Sequence, residues 1–305
     1  MLDGRRLRLL SDLDRLGTIA AVAAVHAYTP SAVSQQLAAL EREAGVALLR
    51  RSGRRVEFTA AGRVLVRHAA TVLTALEEAA AAVAAVRSEP AGQIRIGAHP
   101  SAVHTVLPAA LVSLGRDHPG LELSVSELDP AAVPGALRDR RLDVGLLHDY
   151  DIVPAVTDPS LESVPLLHEA VYLAVAADAR VTTLAEAHDT SWILASPGTL
   201  CHDLALRVCR GAGFTPRARH HIDDFAAVLA LVRAGQGVAL VPELAVLAPA
   251  TGVRLIAAPT RRRTRIGYRR GAAEMPAVAA VVTALHASAR LFAAGKPAQS
   301  ADRHR

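Results

Sequence analysis

Apolar positions near the N-terminus recur with helical spacing, and helix-capping residues divide them into two segments. A small apolar run follows Thr18, and a second segment begins with Thr29 and Pro30 and ends at Gly45. Thr accepts a hydrogen bond at the start of a helix, Pro is tolerated in the first turn, and Gly suits the end. The pattern therefore predicts two helices joined by a tight turn. The inward face of the second helix would carry Val33, Leu37 and Leu40.

The opposite face of the second helix carries small and polar side chains near its N-terminus. Such a surface suits a helix that enters the major groove of DNA, where side chains meet base edges. Gln35 is the best candidate for bidentate contact with adenine. An ordinary helical hairpin in a globular core is the alternative for this segment alone. The predicted base contacts are Ser31, Ser34, Gln35 and Ala38.

Residues 50–58, RRSGRRVEF, predict a β-hairpin directly after the second helix, with a Ser-Gly turn between two pairs of Arg. A wing of this kind brings guanidinium groups to phosphates or into the minor groove. A solvated basic turn is the alternative. The predicted phosphate contacts are Thr29, Arg42, Arg50, Arg51, Arg54 and Arg55.

A long helix is predicted from about Ala60 to Arg87, with Thr59 as its cap. Its apolar positions alternate at spacings of four and three for three heptads, which is typical of paired helices. We expect this seam to join two copies of the chain, because a winged helix-turn-helix normally binds a two-fold site as a dimer. An amphipathic helix packed on its own chain is the alternative. The predicted seam is Leu65, Ala69, Val72, Leu76, Ala79, Val83 and Val86.

Beyond Gly92 the periodicity changes to short apolar strands that alternate with helices. Such alternation predicts a mostly parallel α/β sheet. One helix is expected from Ser101 to about Arg116. The predicted units are a winged helix-turn-helix domain (1–59), a linker helix (60–89), lobe 1 (92–163 and 262–294), lobe 2 (164–261) and a disordered tail (295–305).

Composition and charge fit a DNA-binding chain of two to three domains. The chain has 305 residues, of which 51% are hydrophobic, and a net charge of +5. Its first 63 residues hold ten Arg and six acidic residues, and this basic excess coincides with the predicted DNA surface. The N-terminus lacks the pattern of a secretory signal, and the longest Ala/Val run is too short to span a bilayer. With two Cys, the chain suits a reducing compartment, so we expect a cytoplasmic protein without a membrane partner.

Residues 17–62, GTIAAVAAVHAYTPSAVSQQLAALEREAGVALLRRSGRRVEFTAAG, resemble the LysR-type transcriptional regulators. Three later segments, at 92–111, 140–151 and 235–246, resemble the same family in the same order. The resemblance implies an α/β fold with an N-terminal winged helix-turn-helix, a long linker helix and a bilobed regulatory domain like the type 2 periplasmic binding proteins. The family often has a DNA-contacting Gln where this chain has Pro30, so base recognition falls on Ser31, Ser34 and Gln35.

The resemblance also implies an effector-responsive regulator of transcription that binds promoter DNA as a homo-oligomer, commonly a tetramer, with RNA polymerase as a further candidate partner. No cofactor is expected beyond a small-molecule co-inducer. An enzyme is the competing class, but no nucleophile elbow, phosphate-binding loop or paired-carboxylate motif is present in the sequence. A bilobed transport protein is disfavoured by the predicted DNA-binding module and the lack of a signal sequence.

Ligands of open α/β sheets bind beyond the carboxyl ends of strands, often at helix N-termini. Free N–H groups at Ser101 and Thr199 would suit an anion, and Asp149, Asp223 and Asp224 would suit a cation. A small, polar, zwitterionic effector is therefore the hypothesis, and simple helix capping is the alternative for these residues. The predicted effector contacts are His99, Ser101, Ala102, His148, Asp149, Ser196, Gly198, Thr199, Asp223 and Phe225.

Three other groups of residues receive structural interpretations. Cys201 and Cys209 are eight positions apart, whereas peroxide-sensing LysR members carry a pair nine apart. We therefore expect buried structural thiols. The N-terminus of a helix would, however, lower the pKa of Cys201. Two Cys eight apart on one helix are also too distant for a disulfide. The 13 His lack the spacing of metal ligands, and no metal site is predicted. Six Arg between Arg261 and Arg270 are expected to form a solvated crossover.

Overall fold

A computed structural model describes residues 1–52, 55–86, 89–153, 158–246 and 251–294, without the side chains of 51, 52 and 55. Its N-terminal part is built on a helix that the sequence analysis did not assign, α1 (Gly4–Leu16). Leucines of α1 pack with the inward faces of α2 (Ile19–Val25) and α3 (Pro30–Ala44). A hairpin of β1 (Leu49–Ser52) and β2 (Arg55–Phe58) follows as the wing.

The predicted capping residues set the bounds of the two helices of the helix-turn-helix. The Thr18 Oγ1 accepts a hydrogen bond from the Ala21 amide at 3.1 Å, and the Thr29 Oγ1 accepts one from the Ala32 amide at 3.1 Å. Gly45 ends α3 at a φ of 68°, a conformation that is unfavourable for residues with a Cβ. The two predicted helices and the wing are thus present in the structure.

Helix α4 (Ala60–Ala85) is the predicted linker helix, and Thr59 caps it by accepting a hydrogen bond from the Gly62 amide at 3.0 Å. Its first turns belong to the N-terminal core. A Cβ added at Gly62 would lie 2.1 Å from the Leu48 carbonyl oxygen, so only glycine allows the helix to pass this close to the wing. The helix then extends away from that core toward the regulatory lobes.

The regulatory region continues the chain with eight strands and six α-helices among the described residues. The strands are β3 (Gly92–Ala98), β4 (Leu121–Glu127), β5 (Val144–Tyr150), β6 (Leu161–Ala176), β7 (Ser191–Leu194), β8 (Arg217–His221), β9 (Ala239–Pro242) and β10 (Val253–Arg269). The helices are α5 (Pro100–Val103), α6 (Val106–Asp117), α7 (Val133–Arg138), α8 (Leu200–Gly211), α9 (Phe225–Arg233) and α10 (Pro276–Ala294).

One six-stranded sheet, in the order β4-β3-β5-β10-β6-β9, runs through both lobes, and β7 and β8 form a separate pair. β3 is parallel to β4 and β5, but β10 is antiparallel to both β5 and β6. The expectation of a mostly parallel sheet is therefore wrong for the long strands. The chain crosses to lobe 2 along β6 and returns along β10, so these two strands must run in opposite directions.

The helix expected from Ser101 to Arg116 is divided into α5 and α6. Pro108 lies in the first turn of α6, and its ring would clash with the carbonyl of His104 in a continuous helix. Thr105 between the two helices has a non-helical ψ of −81°. The break places the short α5 at the carboxyl end of β3, where its residues enter the space between the lobes.

Each lobe has its own core. In lobe 1, α6 and α10 cover the strand residues Ile94, Ile96 and Ile266. In lobe 2, Trp192 and Leu194 pack against α8. By length and composition α10 is apolar enough to cross a membrane, but residues along one of its faces, including Val281 and Leu285, are buried in the lobe 1 core.

Lobe 1 also docks on the linker helix through a buried carboxylate. Glu77 of α4 accepts a hydrogen bond from the Arg269 Nε at 2.9 Å and pairs with Arg140. The Glu77 side chain is 4% exposed. Gly271, at a φ of 85°, lies so close to Thr74 that an added Cβ would meet the Thr74 carbonyl oxygen at 2.9 Å. These contacts connect the regulatory lobe directly to the helix that carries the DNA-binding domain.

Candidate functional site

The outer face of α3 is accessible as the sequence predicted. Ser31, Ser34 and Gln35 are exposed, Ala38 is half-buried, and the inward residues Val33, Leu37 and Leu40 are buried. The Ser34 Oγ donates a hydrogen bond to the Pro30 carbonyl at 3.0 Å, which leaves its lone pairs free to accept from a base. The face could therefore insert in a groove without moving the core.

Polar contacts on the inner edge of α3 fix its orientation on the domain. The Arg6 Nε of α1 donates to the Gln36 Oε1 at 2.9 Å, and Arg6 also pairs with Glu43. The Glu41 Oε1 accepts from the amides of Leu48 and Leu49 at 2.8 and 3.0 Å, so α3 also holds the start of the wing. The recognition face and the wing thus keep a fixed relation to each other.

The predicted phosphate contacts are distributed over α3 and the wing. Thr29 and Arg42 are exposed. Arg50 is exposed but faces Glu57 across the hairpin, with its Nη2 at 2.7 Å from the Glu57 Oε2, so its charge is shared with a carboxylate. Arg54 and the side chains of Arg51 and Arg55 lie outside the described residues.

The predicted dimer seam divides into two parts. Ala69 is fully buried and Leu65 partly buried against the N-terminal core, so these two positions contact their own chain. Their place near the start of α4 puts them against α1, which the sequence analysis had not recognised. The other seam positions lie exposed on one face of α4: Val72, Leu76, Ala79, Val83 and Val86.

A cleft of about 250 Å³ opens between the lobes at the carboxyl ends of β3 and β5. That volume corresponds to on the order of eight liquid waters, so the cleft suits a small ligand. Six of the ten predicted effector residues line it: His99, Ser101, His148, Thr199, Asp223 and Phe225.

The other four predicted effector residues do not line the cleft. Asp149 follows His148 in β5, so it points to the opposite face, where Arg263 and Arg265 pair with it at 2.7 and 3.1 Å. Ala102 is buried in the core of lobe 1. Ser196 and Gly198 form the turn before α8 and shape the rim without lining the cavity.

The floor of the cleft is a row of buried rings. His99 and His148 meet edge to face at a centroid distance of 5.0 Å, and His148 meets Tyr150 at 5.5 Å. The Nε2 of His99 and both ring nitrogens of His148 are buried without a hydrogen-bond partner among the described residues. Burial, with the charge of nearby Arg262, lowers the pKa of both His well below the ordinary value, so both rings are neutral.

Arg262 is the main cleft residue that the sequence analysis missed. It is 1% exposed, its Nε donates to the Glu169 Oε1 at 2.6 Å, and its Nη2 donates to the Ser101 Oγ at 3.0 Å. The Ser101 Oγ also lies 3.0 Å from the His99 Nδ1. The expectation of a solvated Arg crossover is therefore wrong at Arg262, because alternate residues of β10 from Thr260 to Thr264 face inward. It is also wrong at Arg269, which is buried where it pairs with Glu77 of α4.

The rim of the cleft carries carboxylates. Glu127, Asp129 and Asp223 line the mouth, and all three are exposed. Asp223 accepts hydrogen bonds from the amide and the Oγ of Ser196, each at 2.7 Å. The cap of α9 is the next residue, Asp224, which accepts from the Ala227 amide at 2.7 Å.

The Thr199 amide donates to the Ser196 carbonyl at 3.2 Å, so this N–H is not free for an anion as predicted. α5 is a single turn, which makes Ser101 a side-chain contact through its Oγ and not a helix-terminus site. The cleft therefore presents acidic groups at its mouth and neutral hydrogen-bonding groups at its floor.

The two Cys lie on α8 in different surroundings. The Cys201 Sγ lies 3.3 Å from the Tyr150 hydroxyl at the edge of the cleft, whereas Cys209 is buried in lobe 2. Burial raises the pKa of Cys201, and it raises the pKa of Cys209 to about 12. The expected lowering of the Cys201 pKa is thus wrong, because burial of the thiol is the largest effect on it.

Within the described residues, no group of three His, Cys, Asp or Glu side chains is arranged to hold a metal ion. In the part of the chain that the structure describes, no carboxylate or thiolate lies with His99 and His148 as a third ligand.

Two family models match the chain. The model described as "Bacterial regulatory helix-turn-helix protein, lysR family" matches residues 5–63, and the model "LysR substrate binding domain" matches residues 87–290. The first covers the helix-turn-helix and wing, and the second covers both lobes and the cleft.

Individual relatives agree with these models. A probable hydrogen peroxide-inducible genes activator from Mycobacterium avium is 35% identical over 78% of this chain and 78% of its own length. The transcriptional dual regulator GltC from Bacillus subtilis is 28% identical over 70% of this chain and 71% of its own. A solved full-length OxyR variant from Pseudomonas aeruginosa has a TM-score of 0.62 at 21% identity, covering 98% of this chain and 99% of that one, a likeness of fold alone.

Proposed function

Since this chain belongs to the LysR family of transcriptional regulators, we propose that its α3 helix reads promoter DNA and that a small, amine-bearing polar effector in the cleft controls it. The protein is a DNA-binding regulator with an effector-binding domain, and not an enzyme. The observation that carries the proposal is the pairing of an exposed polar recognition face with a cleft that has unpartnered imidazoles at its floor.

Base recognition would rest on the N-terminal half of α3. Gln35 is exposed on the outer face between Ser31 and Ala38, and its amide can donate to and accept from one adenine. Pro30 offers no side-chain donor, so Ser31 and Ser34 would complete the contacts. Arg42 and the wing would add phosphate contacts that position the helix.

The charge distribution in the cleft favours an effector that carries an amine. Asp129 and Asp223 at the mouth attract a cation, and Arg262 at the floor is already neutralised by Glu169. Both ring nitrogens of His148 are available to a polar group, one as a donor and one as an acceptor, and His99 adds its Nε2, because its Nδ1 already meets the Ser101 Oγ. A zwitterion would place its amine at the rim and its carboxylate near Ser101 and the imidazoles.

The effector would act by changing the relation between the lobes. Thr199 and Asp223 belong to lobe 2, whereas Ser101 and His148 belong to lobe 1, so a bound molecule contacts both sides. A ligand shifts a conformational equilibrium only by its difference in affinity for the two states. We propose that this difference alters how dimers or tetramers sit on promoter DNA and engage RNA polymerase in the cytoplasm.

Gel-shift titration against the DNA just upstream of the protein's own gene tests the DNA-binding proposal. We expect a specific complex that survives excess random DNA and weakens steeply as salt rises, because phosphate contacts release counterions. No binding to any DNA at low salt would overturn it. If the upstream DNA is bound no better than random DNA, the same assay would be applied to genomic fragments that contain other promoters.

A thermal-shift panel tests the effector proposal. Amino acids and small amines are compared with dicarboxylates and with apolar molecules of similar size. We expect stabilisation by amine-bearing ligands that disappears in Asp223→Asn. Stabilisation by apolar or dianionic ligands alone would overturn the zwitterion hypothesis.

The Cys chemistry favours a bound ligand over oxidation as the signal, although the Mycobacterium avium relative is named for peroxide. Thiolates are the reactive form, and burial raises the pKa of both thiols. Eight residues along α8 also separate the two Cα atoms by about 12 Å, too far for a disulfide. We expect stoichiometric peroxide to leave DNA affinity unchanged, and a peroxide response lost in Cys201→Ser would contradict this.

A further inference from the structure

A second cavity, of about 750 Å³, lies away from the effector cleft, where the DNA-binding domain meets lobe 1. Its walls come from three parts of the chain: α1, the middle of α4, and the part of lobe 1 around α7 and the end of β10. The cavity is three times the volume of the cleft. Anything bound there would touch both the DNA-binding domain and the regulatory lobe.

One wall of this interdomain cavity is apolar. Val66 and Leu73 line it from α4, and Pro134 and Pro159 line it from lobe 1. These side chains could contact the hydrocarbon part of a ligand. A purely ionic occupant would leave that wall without a partner.

The rest of the lining is charged, with six Arg against the four carboxylates of Asp12, Asp14, Glu77 and Asp158. Arg8 of α1 is half-buried, and none of the hydrogen bonds or ion pairs among the described residues involves its guanidinium group. Burial, and then repulsion by Arg140, lowers the pKa of Arg8, although the nearby carboxylates of Glu77 and Asp12 act in the opposite direction. The Arg138 Nε is buried without a partner, although Arg138 pairs with Asp158 through its Nη1.

Arg8 differs from two other Arg residues of the cavity, which make direct ion pairs. Arg15 pairs with Asp12 and Asp139, each at 2.9 Å, and thereby joins α1 to lobe 1. Arg269 is satisfied by Glu77 and by the carbonyls of lobe 1. A half-buried guanidinium group that makes no direct hydrogen bond keeps its donors available, so an arriving anion could form a charge-assisted contact with Arg8.

We propose that this interdomain cavity is a second ligand site, for a small organic oxyanion whose charged end meets Arg8 and Arg138 and whose apolar body lies against Val66 and Leu73. The class includes carboxylates and phosphate monoesters with a hydrocarbon portion. The site goes beyond the effector cleft and does not depend on the cleft ligand. Its occupant would bridge α1 to lobe 1 and so set the angle of the DNA-binding domain.

Isothermal titration calorimetry of the full-length protein at constant ionic strength tests the proposal. The probes are phenyl phosphate, phenylacetate, inorganic phosphate and the neutral benzyl alcohol. We expect saturable binding of one or both aromatic anions, weaker binding of inorganic phosphate, and none of benzyl alcohol. The comparison of the two aromatic anions shows whether a phosphate or a carboxylate fits better.

Arg8→Gln should weaken binding of the aromatic anion at least tenfold. Arg116→Gln is the matched control, because Arg116 is exposed on lobe 1 and pairs with Asp117. His148→Phe, in the effector cleft, should also leave the affinity unchanged. Arg8→Gln should keep the wild-type melting temperature, since Arg8 makes no direct hydrogen bond or ion pair among the described residues, so lost binding would not reflect unfolding.

Three results would overturn the proposal. The first is that wild-type protein binds no aromatic anion in a saturable manner, as expected if a second copy of the chain fills the cavity. Arg8→Gln would bind as well as wild type. Alternatively, Arg42→Gln and not Arg8→Gln would lose binding, which would place the anion on the DNA-contacting surface.

Discussion

The floor of the effector cleft is formed by two neutral imidazoles. Their ring nitrogens are uncharged and largely without hydrogen-bond partners. His99 and His148 are fully enclosed, and three of their four ring nitrogens have no partner among the described residues. Such groups cost about 1–3 kcal/mol each when left unsatisfied. A polar ligand that supplies the missing partners therefore binds with a gain that an apolar molecule of equal size cannot match.

The histidines also make stability depend on pH. Burial lowers the pKa of His148 in the folded state, so below about pH 6.5 the unfolded chain takes up a proton that the folded chain does not. The free energy of unfolding of the wild type should fall as the pH drops from 7.5 to 5.5, by up to about 1.4 kcal/mol per pH unit for this group. His148→Phe should show a shallower fall in urea unfolding at each pH.

His104→Phe, at an exposed position of the same lobe, controls for the general effect of replacing a His by Phe. If His148→Phe has the same pH dependence as wild type, the buried ring does not titrate as described. The comparison uses the difference between proteins at each pH, which removes the contribution of the carboxylates they share.

Substitutions on α3 separate base recognition from phosphate contact. Gln35→Ala should lose discrimination between specific and random DNA, by about 1–3 kcal/mol, and keep most of its affinity for random DNA. Arg42→Ala should weaken both kinds of DNA alike and flatten the salt dependence by about one unit. Competition gel shifts at several salt concentrations measure both effects. An equal loss on both DNAs in Gln35→Ala would contradict base recognition by this residue.

At the scale of elements, the sequence predicted the presence of helices and strands better than the breaks within helices and the contacts between elements. Caps at Thr18, Thr29 and Thr59 are local signals, and each begins a helix as predicted. The break before α6 was missed, although Pro108 carries the signal for it. α1 was not assigned, because its charged residues obscured the leucines that form its buried face.

The exposed part of the α4 seam makes a prediction about assembly. Val83 is 73% exposed on the face shared with Val72 and Leu76, so Val83→Glu should not disturb the folded chain but should oppose helix pairing. Analytical ultracentrifugation should show dissociation of the dimer at concentrations where wild type stays associated. Ala85→Glu places the same charge on the opposite side of α4 and should remain dimeric. Persistent dimers in Val83→Glu would move the interface elsewhere.

At the scale of the whole molecule, contacts between units were beyond the sequence. The cleft was located from strand ends, and six of its residues were named correctly as neighbours of one another. Arg262 and Glu77 were missed, because a charged residue in an amphipathic segment is expected to be solvated. Their partners lie 93 and 192 positions away, at Glu169 and Arg269, and pairing over such separations leaves no local pattern.

The docking of lobe 1 on α4 should depend on the Glu77 carboxylate. Glu77→Gln keeps the shape of the side chain but removes the charge shared by Arg140 and Arg269. We expect a loss of stability on the order of 2 kcal/mol in calorimetric or urea unfolding. Glu78→Gln removes the same charge at the exposed neighbouring position and should change stability by less than about 0.5 kcal/mol. Equal effects of the two substitutions would show that the buried contact does not hold the units together.

Strand β10 contains both Arg262, at the floor of the cleft, and Arg269, the partner of Glu77 on the linker helix. Seven residues of extended chain separate them, a span of about 24 Å. A strand that is hydrogen-bonded to neighbours on both sides resists compression along its axis, so it can transmit a displacement from one end to the other. We therefore expect a ligand that displaces Arg262 along the strand to shift Arg269, and with it the contact to Glu77 on the linker helix, in the same direction.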